Sequence, residues 1–203
     1  MDRSSSCVYQ SSYDRRTLAI MYQVRRMMPI EFAKLKTHLK ALDTDSKVLR
    51  FGYHVSDAVI DQLCDGFKKR QHQHTFFVIE DDDLQFLAVG QVATEKDMEL
   101  AFSVLKDHQG KGMGDALMCR CIQHCRVVGR LKGCMVCLTS NAAIRRLCKK
   151  NGIKLTTELG EMLADIELDH PDLSTYINEN IDINLGAWEY LKKCFARPLA
   201  LLN

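Results

Sequence analysis

The sequence lacks the features that would send a chain into or across a membrane. No apolar run approaches the roughly 20 residues that a membrane-spanning helix needs. The opening stretch, MDRSSSCVYQSSYDRR, has no apolar core of the kind a secretory signal carries. Its Ser-rich, charged character predicts a flexible arm over residues 1–16. Charge of one sign is not in excess either. The formal net charge of +2 gives no reason to expect nucleic acid or an anionic membrane as a partner. There is no internal repeat and no clear linker between domains. Paired metal-site cysteines are also missing: Cys134 and Cys137 form a single C-x-x-C, with no second one to complete a tetrahedral site. The 9 cysteines are odd in number and irregularly spaced, which predicts reduced thiols in a cytoplasmic protein.

What is present is an ordinary globular balance. Hydrophobic residues make up 46% of the 203 residues and charged residues 27%, enough for one domain with appendages. Thr17 to Gln23 predicts a short strand. Pro29 suits the first turn of a helix with an apolar stripe at Phe32, Leu35, Leu39 and Leu42. A loop through Arg50 and Gly52 is expected next. Ser56 then caps a second helix carrying Val59, Ile60, Leu63, Cys64 and Phe67. The period changes after that. Thr75 to Glu80 and Leu84 to Ala93 predict an antiparallel hairpin around an acidic turn, and Glu99 to Leu105 a third strand.

The third strand runs into HQGKGMG and then a helix with Ala116, Leu117, Ile122, Cys125 and Val128 on its apolar side. A short strand, Cys134 to Leu138, follows. Asn141 can cap a helix holding Ile144 and Leu147, and Asn151-Gly152 stops it. Two last strands, Lys154 to Leu159 and Leu163 to Leu168, precede a helical tail from His170. In that tail the stripe around Trp188, Leu191 and Phe195 reads as core packing or as a dimer contact.

The unit of strand, glycine turn and helix carries the chemistry. Glycines at 110, 112 and 114 remove Cβ atoms where a backbone must come close to a bulky anion. The helix that follows points unpaired N–H groups and its positive dipole end at the same place. This predicts a phosphate or pyrophosphate site, with Lys111 adding mobile positive charge. A Walker A loop is excluded, because Lys111 is followed by glycine rather than Ser or Thr. A Rossmann turn is excluded too, because its third glycine would fall on Asp115. The pattern Q/R-x-x-G-x-G/A is met in full by Gln109, Gly112 and Gly114.

That last pattern is the pyrophosphate loop of the GNAT acetyltransferases, and the chain resembles this superfamily from about Thr17 to Leu168. The order of strands and helices is the family's. The stretch NAAIRRLCKKNGI is similar to the family's N-x-x-A-x-x-L-Y-x-K-x-G-F, with Asn141, Leu147, Lys150 and Gly152 matching. The stretches VRRMMPIEFAKLKTHL and SKVLRF also resemble the GNAT domain of bacterial protein-lysine acetyltransferases. The resemblance implies an α/β protein of the GNAT acyl-CoA N-acyltransferase fold. Its central sheet would be mixed and mostly antiparallel, with flanking helices. The domain would span residues 17–169, with a C-terminal helical extension at 170–203.

The resemblance further implies acetyl-CoA as co-substrate. Gln109, Gly110, Lys111, Gly112, Met113 and Gly114 would hold its pyrophosphate. The strand ending at Val104 and Leu105 would splay from the one at Cys134 to Leu138, and the pantetheine arm would lie in that opening. A backbone N–H near Val104 would polarise the thioester carbonyl. Asn141 would touch the pantetheine, or serve only as a helix cap. The acceptor would be an amine, either a protein lysine or a small molecule. A lysine of pKa about 10.4 is neutral in only about one part in 2,500 at pH 7, a cost of roughly 4.6 kcal/mol. Positioning and a base must supply that. Glu99 occupies the position of the family's base, or else only lines the acceptor cleft. Cys148 stands where many members place a tyrosine acid, and is either that acid or a small buried hydrophobe. A non-catalytic acyl-CoA-binding sensor is the alternative. A metal is not expected.

Overall fold

The computed structural model describes residues 22–95, 97–158 and 160–200. They form a mixed α/β structure around one sheet. β1 (Arg25–Arg26) leads through a 3₁₀ turn at Pro29–Glu31 into α1 (Phe32–Ala41), α2 (Thr44–Phe51) and α3 (Asp57–Lys69). The strands β2 (His74–Glu80), β3 (Phe86–Ala93) and β4 (Met98–Val104) then run as a meander into α4 (Met113–Val127). β5 (Lys132–Leu138), α5 (Ala142–Lys150), β6 (Lys154–Glu158), β7 (Glu161–Glu167) and α6 (Leu173–Ala200) complete the chain.

The seven strands are ordered β1-β2-β3-β4-β5-β7-β6, and each pairing is antiparallel except β4 with β5. Two apolar layers lie on the two faces, as period-two alternation requires. Phe76, Val78, Phe86 and Val89 face Phe32, Leu35, Leu39 and Leu42, with Ile60 and Cys64 of α3. Phe77, Ile79, Ala88, Val92 and Leu100 face Leu117, Met118, Cys121 and Cys125 of α4. The α1 stripe and the Ser56 cap, which accepts from the Val59 N–H, stand as the sequence predicts.

Three expectations change, and a fourth falls largely outside the described residues. The stretch expected as a loop through Arg50 is helix α2. Asp43 caps it through the Ser46 N–H, and Gly52 closes it in the left-handed region at φ 83°. No residue of α2 is fully buried, and Phe51 only partly covers the α1–α3 layer. The strand expected from Thr17 lies mostly outside the described residues, as does the arm over 1–16; the described part starts its pairing at Arg25. Val128 sits past the end of α4 and is exposed. The tail is one 28-residue helix, and its Trp188, Leu191 and Phe195 face outward rather than into the core.

α6 is held by its other face. Arg120 of α4 donates to both oxygens of Glu179, at 2.6 and 3.2 Å, and His124 contacts the same carboxylate at 3.2 Å. Burial works to raise the Glu179 carboxyl, but the His124 hydrogen bond and the Arg120 charge outweigh it and hold it at about 2. Further along, Gly186 lies against β1: a Cβ there would stand 2.8 Å from Arg25 Cβ. The Arg25 guanidinium bonds Glu31 and Glu80 and lies 4.5 Å from the centre of the Tyr190 ring.

Candidate functional site

The parallel pair β4–β5 is the centre of the site. It is joined at only two register positions, Met98 with Gly133 and Glu99 with Cys134. Beyond them the strands part. The reason the crossing is so tight is Gly133, where a Cβ would fall 2.1 Å from the Met98 carbonyl oxygen. Strands that start this close and then twist apart leave a wedge between their C-terminal halves.

Backbone polarity in the wedge follows from the ladders outside it. The Leu105 N–H donates to Leu87 O at 2.9 Å, which makes 105 and 87 a hydrogen-bonded pair of the antiparallel β3–β4 ladder. Alternate residues must then face the other way. So Leu100, Phe102 and Val104 turn their N–H and C=O groups to the edge that β5 leaves open. The same logic applies to β5, where the Leu168 N–H donates to Leu131 O at 2.8 Å. Cys134, Val136 and Leu138 therefore turn their backbone toward β4. An extended polar chain could pair with either exposed edge.

The wedge ends at the glycine turn. Gly110 and Gly112 are left-handed, at φ 75° and 89°, conformations that a side chain would strain. Gly112 is the N-cap of α4, with no side chain to cap it. The Ala116 N–H is the first to find an intrahelical acceptor, Gly112 O at 3.1 Å. The N–H groups of Met113, Gly114 and Asp115 precede it and have no such acceptor. Gly114 also allows α5 to approach, since its Cβ would meet Leu147 Cδ1 at 3.3 Å. Lys111 is exposed beside the turn, and its carbonyl accepts from the Tyr22 hydroxyl at 2.8 Å.

Gln109 braces the turn rather than filling it. Its Nε2 donates to Val104 O at 3.1 Å and to Ser46 Oγ at 3.0 Å, so it ties the turn to the end of β4 and to the first turn of α2. Asn141 is buried at the end of β5; its Oδ1 accepts from the Ile144 N–H at 3.1 Å, which makes it the cap of α5. Its Nδ2 donates to none of the described residues. Val104 lies at the wedge mouth, whereas the Leu105 N–H is spent on β3. The glycine turn, its helix end and Asn141 together fit an elongated ligand carrying a pyrophosphate, because they supply N–H donors where no Cβ intrudes.

On the α1–α3 face, Glu99, Ala101 and Ser103 share one side of β4. Glu99 is exposed. Ser103 is buried and stands 2.9 Å from His38 Nε2, while His38 Nδ1 stands 2.8 Å from Phe86 O. A carbonyl can only accept, so Nδ1 carries the proton and Nε2 accepts from the Ser103 hydroxyl. Burial, together with the nearby Arg50 charge, pushes His38 down to about 4, so it is neutral at pH 7. Arg50 bonds Gln91, and burial lowers its guanidinium to about 10 against the pull of Glu99. His74 is buried against Phe67 and bonded to Gln91. Sequence reasoning gave no role to Ser46, Arg50, Gln91 or His38, although His38 lies within VRRMMPIEFAKLKTHL and Ser46 and Arg50 within SKVLRF.

Cys148 is fully buried in the layer between sheet and α4, and burial raises its thiol to about 11. Cys134 and Cys137 point to opposite faces of β5. Among the described residues no group of three or more His, Cys, Asp or Glu is placed to hold a metal ion. Nor is any described helix long and apolar enough to cross a membrane.

Residues 72–152 match the family model described as an acetyltransferase (GNAT) domain. No curated protein sequence matches the chain. Among solved structures, the GNAT domain of S. lividans PAT is similar at 19% identity and TM-score 0.58, covering 71% of this chain and 89% of its own. The structure of yncA from Salmonella typhimurium with its cofactor acetyl-CoA is similar at 18% identity and TM-score 0.57, covering 75% and 98%. A Thermoplasma acidophilum paia N-acetyltransferase in complex with coenzyme A aligns at 12% identity and TM-score 0.53, covering 71% and 97%. At these identities the structures share the fold, and the family model adds the sequence match. Residues 72–152 are thus the part of the chain that the GNAT model matches, and the solved structures are similar to it in fold.

Proposed function

We propose that the protein is an N-acetyltransferase that moves an acetyl group from acetyl-CoA to a primary amine by direct attack in a ternary complex. The observation that carries this reading is the β4–β5 wedge, closed at one end by Gly133 and opening toward the left-handed glycine turn of α4. Acetyl-CoA supplies an activated thioester. Backbone N–H groups from Gly110 to Gly114 hold its pyrophosphate, with Gln109 bracing the turn and Lys111 beside it. The edge of β4 pairs with the pantetheine, and Asn141 Nδ2 donates to it. The Val104 N–H polarises the thioester carbonyl.

Glu99 is the base in this reading. It receives the ammonium proton, directly or through water, with the Arg50 guanidinium in its electrostatic neighbourhood. The acceptor is a protein lysine or a small amine; the solved relatives include a spermidine N-acetyltransferase chimera as well as the PAT domain. Cys148 contributes packing, and water protonates the departing thiolate. The catalytic unit is residues 17–169, with 170–203 an extension, working in the cytoplasm. Burial of Cys148 also favours the second reading, an acyl-CoA-binding sensor without turnover.

Calorimetric titration with acetyl-CoA, with ATP as comparison, tests the donor site on the wild type and on Gly112→Trp. Saturable acetyl-CoA binding that Gly112→Trp abolishes in a folded protein is expected. No binding to the folded wild type would end both readings. Turnover against an amine panel separates them. Glu99→Gln should slow it about a hundredfold or more while coenzyme affinity holds, and an unchanged rate would remove Glu99 from the chemistry.

A further inference from the structure

α6 has two faces of opposite character, and among the described residues only one is packed. The inward face carries Thr175, Glu179, Gly186, Tyr190 and Lys193, bonded or packed to Asp172, α4, β1 and β2. On the opposite side a stripe of Ile177, Ile181, Asn184, Trp188, Leu191 and Phe195 runs along the helix. Its apolar members are all about half exposed or more, with Trp188 at 61% and Phe195 at 73%. At 3.6 residues per turn these six positions fall within about 80° of one another. Their spacing alternates four and three residues, the pattern by which one helix packs along another.

We infer that this stripe is an interface for a second copy of the same chain, with the two α6 helices antiparallel. Area is the first argument. With Leu173 and Leu185 at its margins, the exposed stripe amounts to on the order of 800 Å², at about 200 Å² per large side chain. That exceeds the apolar patch of a typical monomer and equals what a standard interface takes from each partner, about 800 Å².

Symmetry is the second argument. The spacing reads the same from either end, with its midpoint at Gly186. An antiparallel two-fold through that point sets Ile177 opposite Phe195 of the partner subunit, Ile181 opposite the partner's Leu191, and Asn184 opposite the partner's Trp188. The one polar member is then matched. Asn184 Nδ2 is spent on Asn180 O at 2.7 Å, which leaves Oδ1 to accept from the indole N–H across the seam.

Rigidity and charge argue the same way. The helix is pinned at its middle by the Gly186–Arg25 contact and toward its start by Arg120–Glu179, so little order is left to impose on association. Between Leu173 and Phe195 the only cations are Lys192 and Lys193, against Glu179, Asp182 and Glu189. An amphipathic helix for anionic lipid would be rich in Lys and Arg.

The experiment uses the full chain and its single tryptophan. Light scattering should give twice the 23.2 kDa chain mass at tens of micromolar. Trp188 emission should shift to the blue as concentration rises through the dissociation constant. Leu191→Glu and Ile181→Glu should each raise that constant at least a hundredfold and leave Trp188 emission red, while far-UV circular dichroism stays unchanged. Ile183→Glu, exposed but off the stripe, should leave the dimer intact. With Ile177→Cys and Phe195→Cys chains mixed and oxidised, peptide mass spectrometry should find the 177–195 cross-link. A monomer at all concentrations, a dimer that survives both glutamates, or a 177–177 cross-link instead would each overturn the proposal. So would a blue shift that needs added phosphatidylserine vesicles.

Discussion

Replacing Gly133 by alanine adds one methyl group at the place where β4 and β5 cross. That methyl would stand 2.1 Å from the Met98 carbonyl oxygen and 2.7 Å from Met98 Cβ. An ordinary non-bonded contact is about 3.5 Å. The obstacle is backbone, so no rotamer change removes it, and the strands must separate by about 1 Å. Overpacking of this kind costs about 1–3 kcal/mol. Because β4 and β5 pair at only two positions, the separation also weakens the hydrogen bonds there, at about 1 kcal/mol each. A total of about 3–4 kcal/mol lowers the melting temperature of a chain this size by roughly 10 °C. Thermal denaturation followed by circular dichroism measures the loss. Acetyl-CoA titration of the folded variant should show weaker binding, because the wedge has lost the point that sets its width. A loss under 1 kcal/mol with full coenzyme affinity would refute the role of Gly133 as the hinge of the wedge.

Other outcomes follow from the same geometry. His38 has a folded pKa of about 4 against about 6.5 in the unfolded chain. The unfolded state therefore binds a proton first as pH falls, and stability present above pH 6.5 should drop by up to about 3 kcal/mol on approaching pH 4; denaturant titrations of the wild type and His38→Gln at pH 7 and 4.5 measure it. Glu179 runs deeper into acid. Its carboxyl is held at about 2, so the stability it lends to α6 docking is present above about pH 4.5 and lost as pH falls toward 2; hydrogen exchange along α6 should rise over that window, and not in Glu179→Gln. Cys148→Ala should cost about 1–2 kcal/mol as a small cavity while turnover of the folded variant persists; lost turnover in a folded Cys148→Ala would assign the thiol to the chemistry.

Much of the fold was written locally. The Phe32 to Leu42 stripe, the Ser56 and Asn141 caps, the 75–93 hairpin and the glycines at 110 and 112 each act through neighbours a few residues away. Their period and conformational demands are therefore visible in the chain itself, and the left-handed glycine turn was legible for the same reason. Tertiary structure decided the rest. On helix α2, Arg50 and Ser46 gain meaning only once they reach Gln91 and Gln109. His38 is an ordinary position on α1 until folding sets it against Ser103, 65 residues later. The wedge depends on Gly133 meeting Met98 across a parallel crossing, a contact between strands separated by a whole helix. The outward turn of Trp188 was equally hidden. Both faces of α6 carry helical spacing, and only the ion pairs to Arg120 and the close approach of Gly186 to Arg25 determine which face the body takes.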